Sequence, residues 1–255
     1  MNTPLRAAAL ALALVLAGCG SGDGDGINPG VAMHGQDVVI TLKGRNLDKP
    51  VSVAASTGAC TALARSAAEP WVSTPETAYY VCTRTQVGEH RALFIRPSDG
   101  VLLGDVAFTV PQPQVTLTVD NGAGVQGQLV LTLEATLVPV TVDNFLAYVR
   151  SGFYVGTVFH RVVPGFVVQG LDPRGDGYGT GDASLRSEVN QEMYERGTVG
   201  MPDAGKDTGG CQIFVTFRPQ PRLDARYTAF GKVVEGMEIV ERLDLGDVIE
   251  RIEIH

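Results

Sequence analysis

An arginine and a glutamine, Arg161 and Gln169, stand inside an otherwise apolar stretch, residues 159–170 (FHRVVPGFVVQG). Apolar runs of this kind predict buried strands, where a guanidinium costs free energy unless it is paired or used. Two-residue hairpin loops favour a positive φ that proline cannot adopt at their first position. We therefore expect a three-residue loop over 164–166, which places Arg161 opposite Gln169 and Val163 opposite Val167.

Residues that oppose each other across a hairpin share one face, so Gln169 can hydrogen-bond Arg161. A neutral amide orients the guanidinium without cancelling its charge, and the charge then remains available to a ligand. The alternative is an arginine that is satisfied by a nearby carboxylate and serves the structure alone. His160 points to the other face in this register, so we expect it to be structural.

The elements that must position this pair are mostly strands. Residues 115–119 and 129–133 alternate between apolar and polar side chains, which predicts a hairpin with one buried face. A helix follows, with Thr141 as its N-cap and Gly152 at its end. Its apolar positions fall at i, i+3, i+4 and i+7, on one stripe: Val142, Phe145, Leu146 and Val149.

Further strands are expected near residues 198–201, 213–217 and 230–234, and a second short helix near 237–243. Many strands with two helices predict a mainly β fold, a closed β-barrel capped by two helices. Upstream, residues 37–110 consist of short β-runs broken by turns, which predicts a small β-sandwich resembling immunoglobulin domains. A Pro-rich linker, 111–114, joins this module to residues 115–255.

The first residues have the composition of an export signal. Arg6 precedes an apolar segment, 7–17, that is too short to span a bilayer comfortably. The run then ends in Leu-Ala-Gly-Cys at Cys19, which resembles the lipobox of bacterial lipoproteins and implies cleavage before Cys19 and acylation of that residue. Residues 1–18 are then a lipoprotein signal peptide and 19–36 a flexible tether rich in Gly and Asp. The alternative is a plain secretory signal followed by a chance cysteine.

The lipobox resemblance implies a lipid-anchored protein of the bacterial cell envelope, and Gly20 after the cysteine favours an outer membrane position facing the periplasm. Such a compartment is oxidising, so Cys60 and Cys82, which share a segment, are the candidate disulfide. Cys211 is then the odd cysteine, either a reactive thiol or a small buried residue. A net charge of −8 argues against nucleic acid as the main partner.

The stretch FHRVVPGFVVQG resembles the signature of the cyclophilins, the peptidyl-prolyl cis-trans isomerases. Three further motifs support the resemblance, which covers residues 115–255: VPVTVDNFLAYVRSGFY, GTVGMPDAGKDTGGCQIFVTF and FGKVVEGMEIVERL. It implies a cyclophilin-like barrel that isomerises Xaa-Pro bonds without a cofactor or a metal. It also implies that the partners are proline-containing peptides and unfolded exported proteins, and we expect a monomer.

The resemblance also assigns site residues. The catalytic set comprises Arg161, Gln169 and Phe214. The substrate-binding set comprises Phe166, Val167, Met201, Pro202, Asp203, Gln212, Leu223 and Tyr227. Three positions depart from the well-studied members: Arg222 replaces a tryptophan, Tyr227 a histidine and Asp203 an asparagine.

The chemistry explains why no nucleophile is needed. Rotation about a prolyl amide breaks the C–N resonance, a barrier of about 18–20 kcal/mol. The twisted amide has a pyramidal nitrogen with a free lone pair, and Arg161 can donate to it. The rival interpretation is a membrane-anchored interaction protein in which the module at 37–110 binds partners and the barrel only holds proline-containing segments.

Overall fold

The computed structural model describes residues 12–15, 33–43, 47, 50–55, 58–67, 72–120, 126–182 and 184–255. Cys19, the lipidation candidate, lies outside the described residues, as do most of the predicted signal peptide and tether. The chain divides into two compact units between Pro111 and Gln112.

The first unit contains two sheets. One has the strand order β1-β2-β5-β4 and the other β3-β6-β7. Tyr80 from the first sheet and Phe94 from the second share one buried core, with ring centroids 4.8 Å apart, so the sheets pack face to face as in a β-sandwich. The strands are β1 (Leu12–Val15), β2 (Val38–Lys43), β3 (Ser52–Ala55), β4 (Ala62–Arg65), β5 (Thr77–Thr83), β6 (Gly88–Ile95) and β7 (Leu102–Val110).

Sequence patterning explains most of this unit. In β5 every second residue is buried, as expected for a strand with one face on a core. Strand β1 falls within the predicted signal peptide and pairs in parallel with β2. Cys60 and Cys82 form a disulfide with their Cα atoms 5.5 Å apart. Leu63 of β4 pairs with Cys82 of β5, so the bridge lies within one sheet and does not join the two sheets.

The second unit is a closed eight-stranded barrel with the order β10-β11-β13-β12-β14-β9-β8-β15. The predicted mainly β barrel with two helices is confirmed. The alternating leucines of the first hairpin, Leu129, Leu131 and Leu133, are buried. The strands are β8 (Gln114–Asp120), β9 (Gln126–Leu133), β10 (Val158–Val163), β11 (Val167–Asp172), β12 (Thr198–Met201), β13 (Ile213–Thr216), β14 (Thr228–Glu235) and β15 (Val248–Ile254).

Helix α1 (Pro139–Arg150) buries the predicted apolar stripe, and Phe145 packs on Phe230 with ring centroids 5.6 Å apart. The prediction of Thr141 as N-cap is wrong, because the helix begins two residues earlier, at Pro139. A distant carboxylate supplies the cap: Glu188 accepts the backbone N–H groups of Val140 (3.1 Å) and Thr141 (2.7 Å). An acid at this end also complements the helix dipole.

Helix α2 (Met237–Val240) is one turn long and ends earlier than the sequence predicts. Most of the predicted linker, 111–114, belongs to the second unit: Gln114 is part of β8, and the Gln112 side chain accepts the backbone N–H of Ala135 at 2.9 Å. Within the described ranges, no helix is long and apolar enough to cross a membrane.

Candidate active site

The hairpin of β10 and β11 has the register that the sequence predicts. Arg161 pairs with Gln169 and Val163 with Val167, around a turn at residues 164–166. The Arg161 Nη1 donates to Gln169 Oε1 at 3.3 Å. The pairing shifts between Phe159 and Arg161, so His160 is a bulge residue that has no partner in β11.

The site is a row of residues that oppose one another across the barrel wall. Arg161 in β10 faces Gln169 in β11, which pairs with Phe214 in β13. Phe214 pairs with Gly200 in β12, and Gly200 with Ala229 in β14. Opposed residues share a face, so the sheet register alone brings the three predicted catalytic side chains together.

A chain of amide hydrogen bonds fixes the orientation of Gln169. Gln212 Nε2 donates to the carbonyl oxygens of Gly177 (3.0 Å) and Gly179 (2.7 Å). Its oxygen therefore faces Gln169, whose Nε2 donates to it at 2.8 Å. The oxygen of Gln169 is then left to accept from Arg161. We call this chain, from Gly177 and Gly179 through Gln212 and Gln169 to Arg161, the amide relay.

Asp172 holds the loop that supplies the two carbonyls. Its buried carboxylate accepts the backbone N–H groups of Arg174 (2.9 Å), Asp176 (3.1 Å) and Gly177 (2.6 Å). Burial opposes ionisation of Asp172, but backbone hydrogen bonds from Arg174, Gly179 and Gly177 outweigh it and lower the pKa of the carboxyl. Gly179 must lack a side chain, because a Cβ there would overlap the Asp172 carboxylate.

The apolar pocket lies beside the amide relay. Its buried residues are Val167, Tyr194, Phe214, Leu223 and Ala229, with Phe166 and Tyr227 partly buried at its edge. Phe214 is central: its ring stacks on Tyr194 at 5.4 Å and meets Tyr227 edge-on at 5.9 Å. We call this set of seven residues, where the sequence resemblance predicts that the proline ring binds, the proline pocket.

Two pocket residues, Tyr194 and Ala229, were missed from the sequence. Tyr194 lies in an irregular segment without apolar periodicity, so no pattern marked it. Its hydroxyl is buried without a hydrogen-bond partner in the described part of the chain, and burial raises its pKa. Gly200 provides the space, because a Cβ there would overlap the Phe214 ring and approach the Tyr194 hydroxyl.

Three other predicted substrate-binding residues, Met201, Pro202 and Asp203, follow Gly200 in the chain. Met201 is buried and packs against Gly209, while Pro202 and Asp203 are partly exposed. The Asp203 carboxylate accepts the backbone N–H of Gly205 at 3.1 Å. A cavity of about 580 Å³ opens next to Tyr227. It is lined by Ser187, Val189, Asp203, Ala204, Gly205, Lys206, Arg226 and Tyr227.

His160 and Cys211 have no role in the predicted chemistry. His160 lies beside Gly177, and burial lowers its pKa, so the ring is neutral at pH 7. Cys211 is a free thiol with no exposed surface, and burial raises its pKa to about 11. The interpretation of Cys211 as a small buried residue is confirmed. In the described ranges, no group of three His, Cys, Asp or Glu side chains could hold a metal ion.

Arg161 keeps its charge in this arrangement. Its side chain is exposed, and none of the ion pairs between described residues involves it. The relay holds the guanidinium through a neutral amide oxygen. The alternative, an arginine that is paired with a nearby carboxylate, is therefore not the arrangement in the structure. The site therefore presents one oriented cationic donor at the edge of an apolar pocket.

Comparison with known proteins agrees with this geometry. The family model described as cyclophilin type peptidyl-prolyl cis-trans isomerase/CLD matches residues 115–254. Peptidyl-prolyl cis-trans isomerase B of Bacillus subtilis is 43% identical over 118 residues, which cover 46% of this chain and 82% of that protein. A Helicobacter pylori peptidyl-prolyl cis-trans isomerase is 40% identical over 131 residues, which cover 50% of this chain and 80% of that protein.

Among solved structures, a cyclophilin type peptidyl-prolyl cis-trans isomerase from Cryptosporidium parvum, crystallised in the presence of the dipeptide Ala-Pro, superposes with a TM-score of 0.51. The match has 29% sequence identity and covers 56% of this chain and 98% of that chain. Family model, relatives and barrel agree: this chain belongs to the cyclophilin-type peptidyl-prolyl cis-trans isomerases and is an enzyme of that activity.

Proposed function

We propose that Arg161 catalyses the isomerisation by donating a hydrogen bond to the prolyl nitrogen of the twisted amide. In the planar ground state the nitrogen lone pair is delocalised into the carbonyl, so the nitrogen is a poor acceptor. At the twisted transition state the nitrogen regains its lone pair and the carbonyl oxygen loses negative charge. A donor directed at the nitrogen therefore stabilises the transition state more than the substrate.

The observation that carries this proposal is that an uncharged partner orients Arg161. Gln169 holds the guanidinium at 3.3 Å through an oxygen that the rest of the amide relay has already fixed. A carboxylate in the place of Gln169 would hold the same donor and cancel its charge. The relay thus supplies a preorganised donor, which costs no reorganisation during the reaction.

The proline pocket supplies the second part of the mechanism. We expect the substrate ring to lie against Phe214, Leu223 and Phe166, where apolar walls exclude water from the amide. A lower local dielectric strengthens the hydrogen bond from Arg161. Asp203 lines the cavity next to Tyr227, and Pro202 and Asp203 would align the substrate backbone. The Ala-Pro dipeptide named with the Cryptosporidium parvum structure supports a proline-containing peptide as the ligand.

The replacement Arg161→Ala tests the role of the donor. We expect kcat/KM for a short Xaa-Pro peptide to fall by one to three orders of magnitude, or about 1.4–4 kcal/mol of transition-state stabilisation. Exchange NMR between the cis and trans peptide measures the rate without a coupling enzyme. Arg161→Lys keeps the charge but loses the fork geometry, so we expect an intermediate rate. A wild-type rate in Arg161→Ala would contradict the mechanism.

We also propose that the enzyme acts on exported proteins in the cell envelope, anchored by lipid at Cys19. The signal-like residues 1–18 and the sequence Leu-Ala-Gly-Cys support the anchor. The Cys60–Cys82 disulfide suits an oxidising compartment. Unassisted Xaa-Pro isomerisation takes tens to hundreds of seconds, so an isomerase there would speed the folding of proteins after export.

The replacement Cys19→Ala tests the anchor. Several acyl chains hold a protein stably on a membrane, because each buried CH₂ contributes about 0.8 kcal/mol. We therefore expect the wild-type protein in the membrane fraction and Cys19→Ala in the soluble fraction. Cys211→Ala, which removes a buried thiol instead, is the matched control and should remain with the membranes. Membrane retention of Cys19→Ala would contradict lipidation at this residue.

A further inference from the structure

Three arginines converge on the turn at residues 164–166, one edge of the proline pocket. The Cζ atoms of Arg161 and Arg222 lie 5.7 Å and 4.2 Å from the centroid of the Phe166 ring. The Cζ atom of Arg218 lies 3.2 Å from the position that a Cβ of Gly165 would occupy. The turn is therefore covered by guanidinium groups on more than one side.

A fourth arginine stands at the other aromatic edge of the pocket. The Cζ atom of Arg226 lies 5.6 Å from the centroid of the Tyr227 ring. Arg226 and Lys206 also line the cavity next to that ring. We call Arg161, Arg218, Arg222 and Arg226 the arginine rim. Its members are all exposed, as a surface that meets a ligand requires.

The fold fixes the rim to the pocket. Phe217 donates its backbone N–H to the Phe166 carbonyl at 3.0 Å, and Gln220 Nε2 donates to the Gly165 carbonyl at 3.1 Å. A 3₁₀ turn, Pro221–Leu223, follows and carries Leu223 into the pocket. Residues 217–223 are thus bound to the turn at 164–166, and Arg218 and Arg222 are carried with them.

The rim arginines differ in their partners from five other arginines of the described chain. Ion pairs hold the arginines at 91, 96, 174, 196 and 251. Among the described residues, no carboxylate lies within 4.0 Å of a rim guanidinium. Two acids are near the pocket, but Asp203 accepts the Gly205 N–H and Asp224 accepts the Tyr194 N–H.

The rim is a cluster of positive charge on a chain whose net charge is −8. Like charges that are held close together repel one another, and a carboxylate brought between them relieves that repulsion. An exposed charge pair changes an equilibrium constant by up to about fivefold, and complementary charge also raises the association rate. The rim is therefore suited to a ligand that brings its own carboxylate to the pocket.

We propose that the arginine rim makes this isomerase select proline segments that carry Asp or Glu within two residues of the proline. The proposal rests on the proposed proline pocket. Successive residues of an extended peptide advance by about 3.3–3.6 Å, so a side chain one or two positions from the bound ring reaches the rim. Arg161 is engaged by the prolyl nitrogen, so Arg218 and Arg222, which lie beside it at the turn, carry the selection.

Matched peptides test the selection with the full-length protein. Each series places Glu, Gln or Lys at one position before or after the proline, and exchange NMR measures kcat/KM. We expect the Glu peptide to exceed the Gln peptide by about three- to tenfold at low salt in at least one series. The Lys peptide should fall below the Gln peptide. At about 0.5 M salt the ratio of Glu to Gln should approach one, because the Debye length is then only a few ångströms.

Charge removal identifies the residues responsible. The double variant Arg218→Gln/Arg222→Gln should bring the low-salt ratio of Glu to Gln to within about twofold of one. Arg251→Gln removes the same kind of charge from β15, where Arg251 pairs with Glu253, and should retain the wild-type ratio. Equal kcat/KM for Glu and Gln peptides in the wild type at low salt would overturn the proposal. A wild-type ratio in the double variant would also overturn it.

The same samples separate this proposal from the proposed mechanism. If the wild type isomerises all peptides at one rate, the enzyme mechanism stands and the selection is wrong. If it isomerises none of them, the mechanism is wrong. Chemical-shift titration then measures the affinity for each peptide, and these affinities test the selection. Tighter binding of the Glu peptide that the double variant loses would then support the rim, and equal affinities would overturn it.

Discussion

The two sides of the candidate active site are built on different physical principles. The amide relay is directional, because Gln212 donates to two carbonyls and accepts from Gln169, whose own oxygen accepts from Arg161. The proline pocket is not directional and depends on volume and contact, with Phe214 packed between Tyr194 and Tyr227. Changing one atom can break the amide relay, whereas binding in the proline pocket weakens gradually as carbon atoms are removed. Substitutions in the relay and in the pocket should therefore affect the rate and the affinity differently.

Among the residues that support Arg161, the largest effect is expected from Gln169→Glu, which keeps the shape of the side chain and adds a charge. The carboxylate would pair with Arg161 and cancel the charge that the mechanism uses, and it would leave the Gln212 oxygen without a donor. We expect kcat/KM to fall by about 10- to 100-fold, or about 1.4–2.7 kcal/mol. Unfolding in urea checks that the barrel stays folded.

Gln169→Leu is the control for that charge. It removes the hydrogen bond and leaves Arg161 unneutralised, so we expect a smaller fall in kcat/KM. Equal rates in the two variants would show that the neutrality of the Arg161 partner does not matter for catalysis.

A smaller effect, with a different signature, is expected on the apolar side. Phe214→Leu leaves a gap in the pocket, so we expect peptide affinity to fall by about tenfold, or about 1.4 kcal/mol. The free energy of unfolding should fall by about 1–2 kcal/mol. Phe145→Leu is the matched control: this phenylalanine is also buried, but it packs on Phe230 and Tyr154. It should lose similar stability without losing affinity, and a loss of affinity in both variants would contradict a local pocket effect.

The smallest effect on the rate is expected at Asp172, which supports the relay through its loop. Its pKa is lowered in the folded chain, so its contribution to stability is complete above the unfolded value of about 3.9. That contribution is lost as the pH falls through the folded pKa. Asp172→Asn should therefore lower the free energy of unfolding at pH 7 by about 1–3 kcal/mol and weaken its pH dependence below about pH 4. Urea unfolding at several pH values measures both. An unchanged acid dependence would contradict the role of the carboxylate.

The hairpin that carries Arg161 and Gln169 could be predicted because its register depends on local geometry. A Pro-Gly bend between two apolar runs permits few loops, and the three-residue loop fixes which side chains oppose each other. The apolar stripe of α1 was predictable for the same reason, since it needs only the helical period.

What could not be predicted depends on contacts between distant segments. The α1 cap comes from Glu188, 47 residues after Thr141, so the local rule selected the wrong residue. Gln212 is fixed by carbonyls 33 and 35 residues earlier in an irregular loop, which no periodicity reveals. Strand β4 was missed because Ala62–Arg65 is short and has no buried side chain that would create a clear alternation.

Closure of the barrel has a consequence for how the protein folds. Strand β8 pairs with β15 along its whole length, and Thr116 contacts His255, 139 residues later. Pairing across such a separation slows folding, because the chain must close a long loop before the contact contributes. During synthesis β8 is made before β15, so the edge of β8 that pairs with β15 stays unpaired until β15 has been made. A chain without Val248–Ile254 would keep that edge open, and an open edge is a template for aggregation.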